Sequence, residues 1–215
     1  MHFNPYNSVT ATISRIFDIM AVTVLFAVFC VPVFTVGASL CAMHKAMMDI
    51  AEDKCSSVWQ SFFDAFKGNF KIATLLWLTA AAVGAVIFLN INICWGYEGE
   101  KTLMMTLSRV LTVFLISFYS AMCAFAFGGT AKFFVSYGQA LNNAFCWTAG
   151  KPGISLLLIA IDAVMAAAIF MLWYYAVPVI AAGLYFQNKL LLKAMIGRSG
   201  PERMNAASEE GTYYE

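Results

Sequence analysis

Long apolar runs, separated by shorter mixed segments, set the pattern of this chain. Residues 16–43 carry one run, with Asp18 near its start, and residues 72–95 (IATLLWLTAAAVGAVIFLNINICW) carry a second. A third covers 103–128, with Arg109 near its start, and a fourth covers 153–175. A weaker fifth, 177–196, is interrupted by Gln187, Asn188, Lys189 and Lys193. A helix needs about 20 mostly apolar residues to cross a bilayer, so the pattern predicts about five crossings, with four to six compatible with it. The expected fold class is all-α: a polytopic transmembrane helix bundle that forms one domain over 1–196. The tail 197–215 is polar, has no apolar period and is expected to be disordered.

The first run contains a break. Pro32 lacks an N–H and disrupts a helix, and Gly37 removes a side chain where a neighbour can approach. Two readings follow: a kink inside one span, or a turn between two short segments that would move the N-terminus to the inside. The kink is preferred, because residues 33–43 give only about 16 Å of helix, about half a bilayer core. On that reading the helix continues past His44 and Lys45 as a cytosolic extension.

Two mixed segments have a helical period. In 57–71 (SVWQSFFDAFKGNFK), Val58, Trp59, Phe62, Phe63, Phe66 and Phe70 share one side, while Gln60, Ser61, Asp64, Lys67 and Lys71 take the other. Asn69 falls on the apolar side and is expected to have a protein partner. In 133–147, Phe133, Phe134, Tyr137, Leu141, Ala144 and Phe145 line up, with Ser136, Gln139, Asn142 and Asn143 facing away. Both segments are expected to be interfacial amphipathic helices that lead into the next span.

Composition places the chain in lipid. It is 61% hydrophobic and 12% charged, with mean hydropathy +0.75, against about 45–50% and about 25% for a soluble domain. The formal net charge of +1 is uninformative; the distribution of charge is not. With loop 44–71 cytoplasmic, Lys45, Lys54, Lys67, Lys71, Lys132, Lys151, Lys189, Lys193, Arg198 and Arg203 fall inside. Arg15, Lys101 and Arg109 fall outside. Lysine and arginine concentrate on the cytoplasmic side of membrane proteins, so the expectation is a multi-pass cell-membrane protein with a cytoplasmic C-terminus and an outside N-terminus. Trp95 with Tyr97, and Trp173 with Tyr174 and Tyr175, would mark the outer interface. The first run is too long for a signal-peptide core and lacks a convincing cleavage site. The six cysteines, Cys30, Cys41, Cys55, Cys94, Cys123 and Cys146, have no metal-ligand spacing with His2 or His44 and read as free thiols packed as small hydrophobes.

PVFTVGASLCAMHKAMMD, followed by FFDAFKGNFKIATLLWL, resembles the YesL family of bacterial membrane proteins, a domain of unknown function. The matching positions are Pro32, Thr35, Gly37, Ala38, Phe62, Phe66, Asn69, Phe70, Ala73 and Thr74. The later ALNNAF, 140–145, resembles the family's second half. The resemblance implies association with carbohydrate uptake and utilisation, near sugar ABC importers. It implies no mechanism.

Asp162 is the sharpest candidate for chemistry. An ionisable group in mid-span costs about 2.5–3.5 kcal/mol on insertion scales, and this one could hold a proton or cation or pair with Lys189 or Arg109. Asn90 and Asn92 in span two, and Gln187 and Asn188 in span five, complete a candidate intramembrane polar set, with helix joining as their plainer role. His44 has a histidine's proton-switch chemistry but reads as a solvated interfacial residue. Ala80, Ala81, Ala82, Gly84 and Ala85, and Ala163, Ala166 and Ala167, read as close-packing surfaces. No H-E-x-x-H, G-x-S-x-G or P-loop motif appears, and no catalytic residue, metal site, cofactor or nucleic-acid partner is expected. Two functions follow. The first is an accessory or scaffolding protein that docks sugar-importer subunits or a sensor kinase through Trp59, Phe62, Phe63 and Phe66. The second is a small homo-oligomeric transporter or channel centred on Asp162.

Overall fold

A computed structural model describes residues 5–53, 57–96, 103–133, 135–171 and 176–196. The expectations for the tail 197–215 and for Tyr97 and Trp173–Tyr175 lie outside the described residues. The described chain is all-helical. Its helices are α1 (Pro5–Phe29), α2 (Val36–Ala51), α3 (Val58–Gly68), α4 (Phe70–Gly96), α5 (Leu103–Lys132), α6 (Tyr137–Gly150), α7 (Pro152–Met171) and α8 (Ala176–Ile196), with one 3-10 turn at Val33–Thr35.

Among the described residues, two helices, α4 and α5, are long and apolar enough to cross a membrane, and α6 with α7 makes a third candidate, bent by 97° at the break between them. That bend has a local cause. Pro152 opens α7, where a missing N–H costs nothing. Ser136 starts α6, and Gln139 Oε1 reaches back to accept its N–H at 3.0 Å. The short amphipathic helices expected before spans two and four are α3 and α6.

The first run departs from the preferred kink and takes the other reading, a turn between two segments. The chain reverses at 30–35, and α1 and α2 lie antiparallel. Arg15 on α1 pairs with Asp53, just beyond α2, and Val22 and Leu25 pack with Ala42, Met43, Ala46 and Met47. The segment expected as a cytosolic extension is largely enclosed: Ala42, Met43, His44, Ala46, Met47 and Met48 are all buried. Its period fits α1 on one side and α3, α4, α5 and α8 on the others. Cys41 reaches the Phe127 carbonyl, and Met48 lies beside Gly128, so α2 crosses the end of α5 steeply.

Packing is uneven along the bundle. The last third of α5, Ala121–Ala131, is mostly buried against α2, α6 and α8, whereas Leu103, Leu107, Val110, Leu111 and Phe114 are exposed. On α4 only Ala73 and Leu76 are buried. Two glycines make the dense end possible. A Cβ on Gly37 would meet Ala73 O at 2.2 Å, and one on Gly129 would meet Trp147 at 2.7 Å. Ala163, Ala166 and Ala167 are exposed, contrary to the packing expected of them; Gly183 on α8 receives Met165 of α7 instead. A run of small residues does not say which side of a helix its partner takes.

Candidate functional site

Asp162 sits near the middle of α7, half-buried between α5 and α8. Its Oδ2 accepts a hydrogen bond from the Ser120 hydroxyl, and Gln187 Nε2 points at its Oδ1 from 3.4 Å. The helices therefore meet in mid-bundle through a hydroxyl, a carboxyl and an amide. The expected cationic partners lie elsewhere. Arg109 donates to the Cys94 carbonyl at 3.1 Å, and its guanidinium lies 5.9 Å over the Trp95 ring. Lys189 is exposed. Ser120 is the member of the site that sequence reasoning missed. A serine inside an apolar run has no signature of its own, because its hydroxyl can always bond to the preceding turn.

Of the candidate polar set, only Gln187 joins Asp162. Asn188, one position on, points to a different helix: its Oδ1 lies 2.8 Å from His44 Nδ1, while its Nδ2 donates to the Leu184 carbonyl at 2.8 Å. Since that amide oxygen accepts, His44 holds its proton on Nδ1. His44 and Asn188 are both buried, so the solvated interfacial histidine of the sequence reading is a core hydrogen-bonding residue joining α2 to α8. Asn90 and Asn92 lie toward the other end of α4. Asn90 accepts from the Thr112 hydroxyl at 2.7 Å and ties α4 to α5; Asn92 bonds back to the Phe88 carbonyl at 2.7 Å. Tyr119 adds a second α4–α5 tie, its hydroxyl donating to the Ala80 carbonyl at 2.7 Å.

Two surface grooves flank α5. One, of about 520 Å³, runs between α5, α6 and α7 past Val113, Phe114, Phe118 and Leu156. The other, of about 370 Å³, runs between α4, α5 and α6 past Leu76, Val83, Met122 and Leu141. Both are lined almost wholly by apolar side chains, and neither contains Asp162, Gln187, Asn188, Asn90 or Asn92.

The expected docking face on α3 is largely consumed by the fold. Phe62 is fully buried, and Phe29 from α1 meets Phe62, Phe63 and Phe66 with ring centroids 5.8, 5.4 and 5.3 Å apart. Trp59 alone of the four is exposed, at 57%. An amphipathic period is the same whether the apolar side meets lipid, a partner or the chain's own first helix.

The motif residues acquire structural roles. Thr35 and Ser39 hydroxyls bond the Phe29 and Pro32 carbonyls at the reversal. Gly37 admits the α4 backbone, and buried Asn69 caps α3 by donating Nδ2 to the Ala65 carbonyl at 3.3 Å. Phe66 and Phe70 stack the α3–α4 corner, with centroids 5.7 Å apart. Among the described residues, no group of three or more His, Cys, Asp and Glu side chains could hold a metal ion. No curated protein and no solved structure matched the chain. Residues 19–91, which contain the hairpin turn, the α3–α4 corner and the motif, are similar to a family described as protein of unknown function, DUF624.

Proposed function

We propose that this chain is a non-enzymatic, membrane-embedded accessory or scaffolding protein of the cell membrane. Its C-terminus is cytoplasmic, and it works with a carbohydrate uptake system. The YesL resemblance and the similarity over 19–91 point to the same kind of family, and the carbohydrate link rests on the resemblance. The observation that carries the choice of class is the engagement of Asp162 by its neighbours on α5 and α8. A transport site needs its mid-membrane carboxylate free to take a substrate, whereas both carboxylate oxygens of Asp162 are engaged, by Ser120 and Gln187. Its contacts are those of a helix-joining group. The docking residue the fold leaves exposed is Trp59 on α3.

A tagged copy extracted from its native membrane in mild detergent, alongside Asp162→Asn, tests this. Recovery of sugar-importer subunits or a sensor kinase, equally with both forms, is the expected result. Recovery of the chain only with itself, together with loss of that assembly in Asp162→Asn, would favour the homo-oligomeric transporter.

A further inference from the structure

The reversal at 30–35 has an unusual surface. Val31, Val33 and Phe34 are 79%, 72% and 62% exposed, and Pro32 beside them is exposed too. A turn facing water is ordinarily built from polar residues and glycine; here no charged residue occurs anywhere between Asp18 and Lys45. Several of the turn's backbone groups are bonded inward. The Phe29 carbonyl lies 2.6 Å from the Thr35 hydroxyl and 3.0 Å from that of Ser39. The Pro32 carbonyl accepts the Thr35 N–H at 3.0 Å and has the same hydroxyl within 2.7 Å. The Cys30 N–H returns to the Phe26 carbonyl at 3.0 Å, and Pro32 has no N–H to satisfy. Non-helical backbone in hydrocarbon is tolerated only when its polar groups find protein partners.

The other end of the hairpin is its chemical opposite. Arg15 pairs with Asp53, Lys45 with Asp49 at 2.8 Å, and Lys132 at the end of α5 with Glu52 at 2.5 Å. Ion pairs collect toward one end, where Ile16 and Phe17 are exposed as well, and the turn at the other end carries apolar side chains and no charge. The apolar end adjoins α4, since Gly37 packs on Ala73 and Trp77, next to the exposed Leu75 and Leu78 of that crossing helix. The fifteen residues from Arg15 to Phe29 span about 21 Å of helix axis, short of the hydrocarbon core's thickness of about 30 Å.

We propose that α1 and α2 form a re-entrant hairpin whose turn is immersed in the acyl chains of the bilayer. It enters and leaves through the face that carries Arg15, Asp53, Glu52 and Lys132. The partner of the Val31–Phe34 surface is lipid. That face is cytoplasmic, because the hairpin moves Arg15 to the lysine-rich side and leaves Lys101 and Arg109 opposite. The outside N-terminus expected from a single kinked crossing does not hold on this arrangement.

The test uses single-cysteine reporters at exposed positions, Ser14→Cys, Val33→Cys and Ser57→Cys, in the full chain with its native cysteines replaced. An impermeant maleimide should label positions 14 and 57 in inside-out vesicles and less than one-tenth as much in intact cells. In liposomes of the purified chain, a bimane at position 33 should be quenched several-fold by brominated-acyl phosphatidylcholine and left unchanged by aqueous iodide. Labelling of 14 and 57 from opposite faces would overturn the proposal, as would quenching at 33 by iodide. Quenching at 33 by neither agent would overturn it in favour of a protein cover. If the cysteine-replaced chain fails to fold, an N-terminal epitope tag on the native chain decides: protease added to intact cells should spare it, and removal there would refute the hairpin.

Discussion

Substituting Gly37 by alanine tests the packing at the hairpin's base. The added Cβ would lie 2.2 Å from Ala73 O, 2.9 Å from Ala73 C and 2.6 Å from Trp77 Cβ. Comfortable separations between such atoms are about 3.5–4.0 Å. Two obstacles are backbone atoms and the third is fixed to it, so no rotamer change relieves the clash, and α2 must move away from α4 by about 1 Å. Overpacking of this kind costs about 1–3 kcal/mol, here toward the upper end. Alanine returns about 1 kcal/mol of helix propensity, leaving about 2 kcal/mol net destabilisation. At about 2–4 °C per kcal/mol for a chain of this size, thermal unfolding followed by circular dichroism in detergent should show Tm lowered by about 4–8 °C. Gly68→Ala is the matched control, since a Cβ there meets nothing within 4 Å; its gain of up to about 1 kcal/mol should raise Tm by about 2–4 °C. A Gly37→Ala protein as stable as the native chain, with Gly68→Ala behaving as expected, would refute the close approach of α2 to α4.

Three other outcomes follow from the polar contacts. Thr35→Val removes the hydroxyl that serves the Phe29 and Pro32 carbonyls, and should cost about 1–3 kcal/mol, read as a lower Tm in the same assay. His44→Phe and Asn188→Leu should each be destabilising by about 1–3 kcal/mol, since each strands a buried partner. The double variant should cost at least about 1 kcal/mol less than their sum; strict additivity would refute the pairing. Asp162→Asn keeps an acceptor for Ser120 and should change stability by less than about 1 kcal/mol, while Asp162→Leu, which leaves the Ser120 hydroxyl and Gln187 amide without it, should cost about 1–3 kcal/mol. Equal melting temperatures for the Asn and Leu variants would show that Asp162 does not join the helices.

The helices that face outward were the most legible in the sequence. The runs at 72–95 and 103–128 correspond closely to α4 and α5, because lipid-facing helices are apolar on every side. The α3 and α6 periods and the stop at Pro152 were also visible, each set by local chemistry. The hairpin was visible only as the second of two readings of the Pro32 break, because a turn built from Val31, Pro32, Val33 and Phe34 is as apolar as the helices it joins, so hydropathy passes through it without a mark. The half-bilayer length of 33–43 argued for a kink only because a full crossing was assumed. The site was legible in part. Asp162 stands out as a charge in an apolar run, and Gln187 and Asn188 as amides in another, but adjacent positions on α8 point about 100° apart. One meets α7 and the other α2, and no spacing rule gives that. His44 was misread because its lysine neighbour suggested a water interface, whereas Lys45 and His44 lie on different sides of α2.

The accessory reading rests on a surface that a partner can reach, and Trp59 is the residue of the α3 aromatic face left exposed. A photo-activated benzophenone amino acid placed at position 59 in the tagged chain, irradiated in the native membrane, reads that surface directly. Position 62, which is fully buried, is the control. The account predicts an adduct with a membrane subunit of a sugar importer or a sensor kinase from position 59 and none from position 62. Adducts from position 59 confined to second copies of the same chain would contradict it.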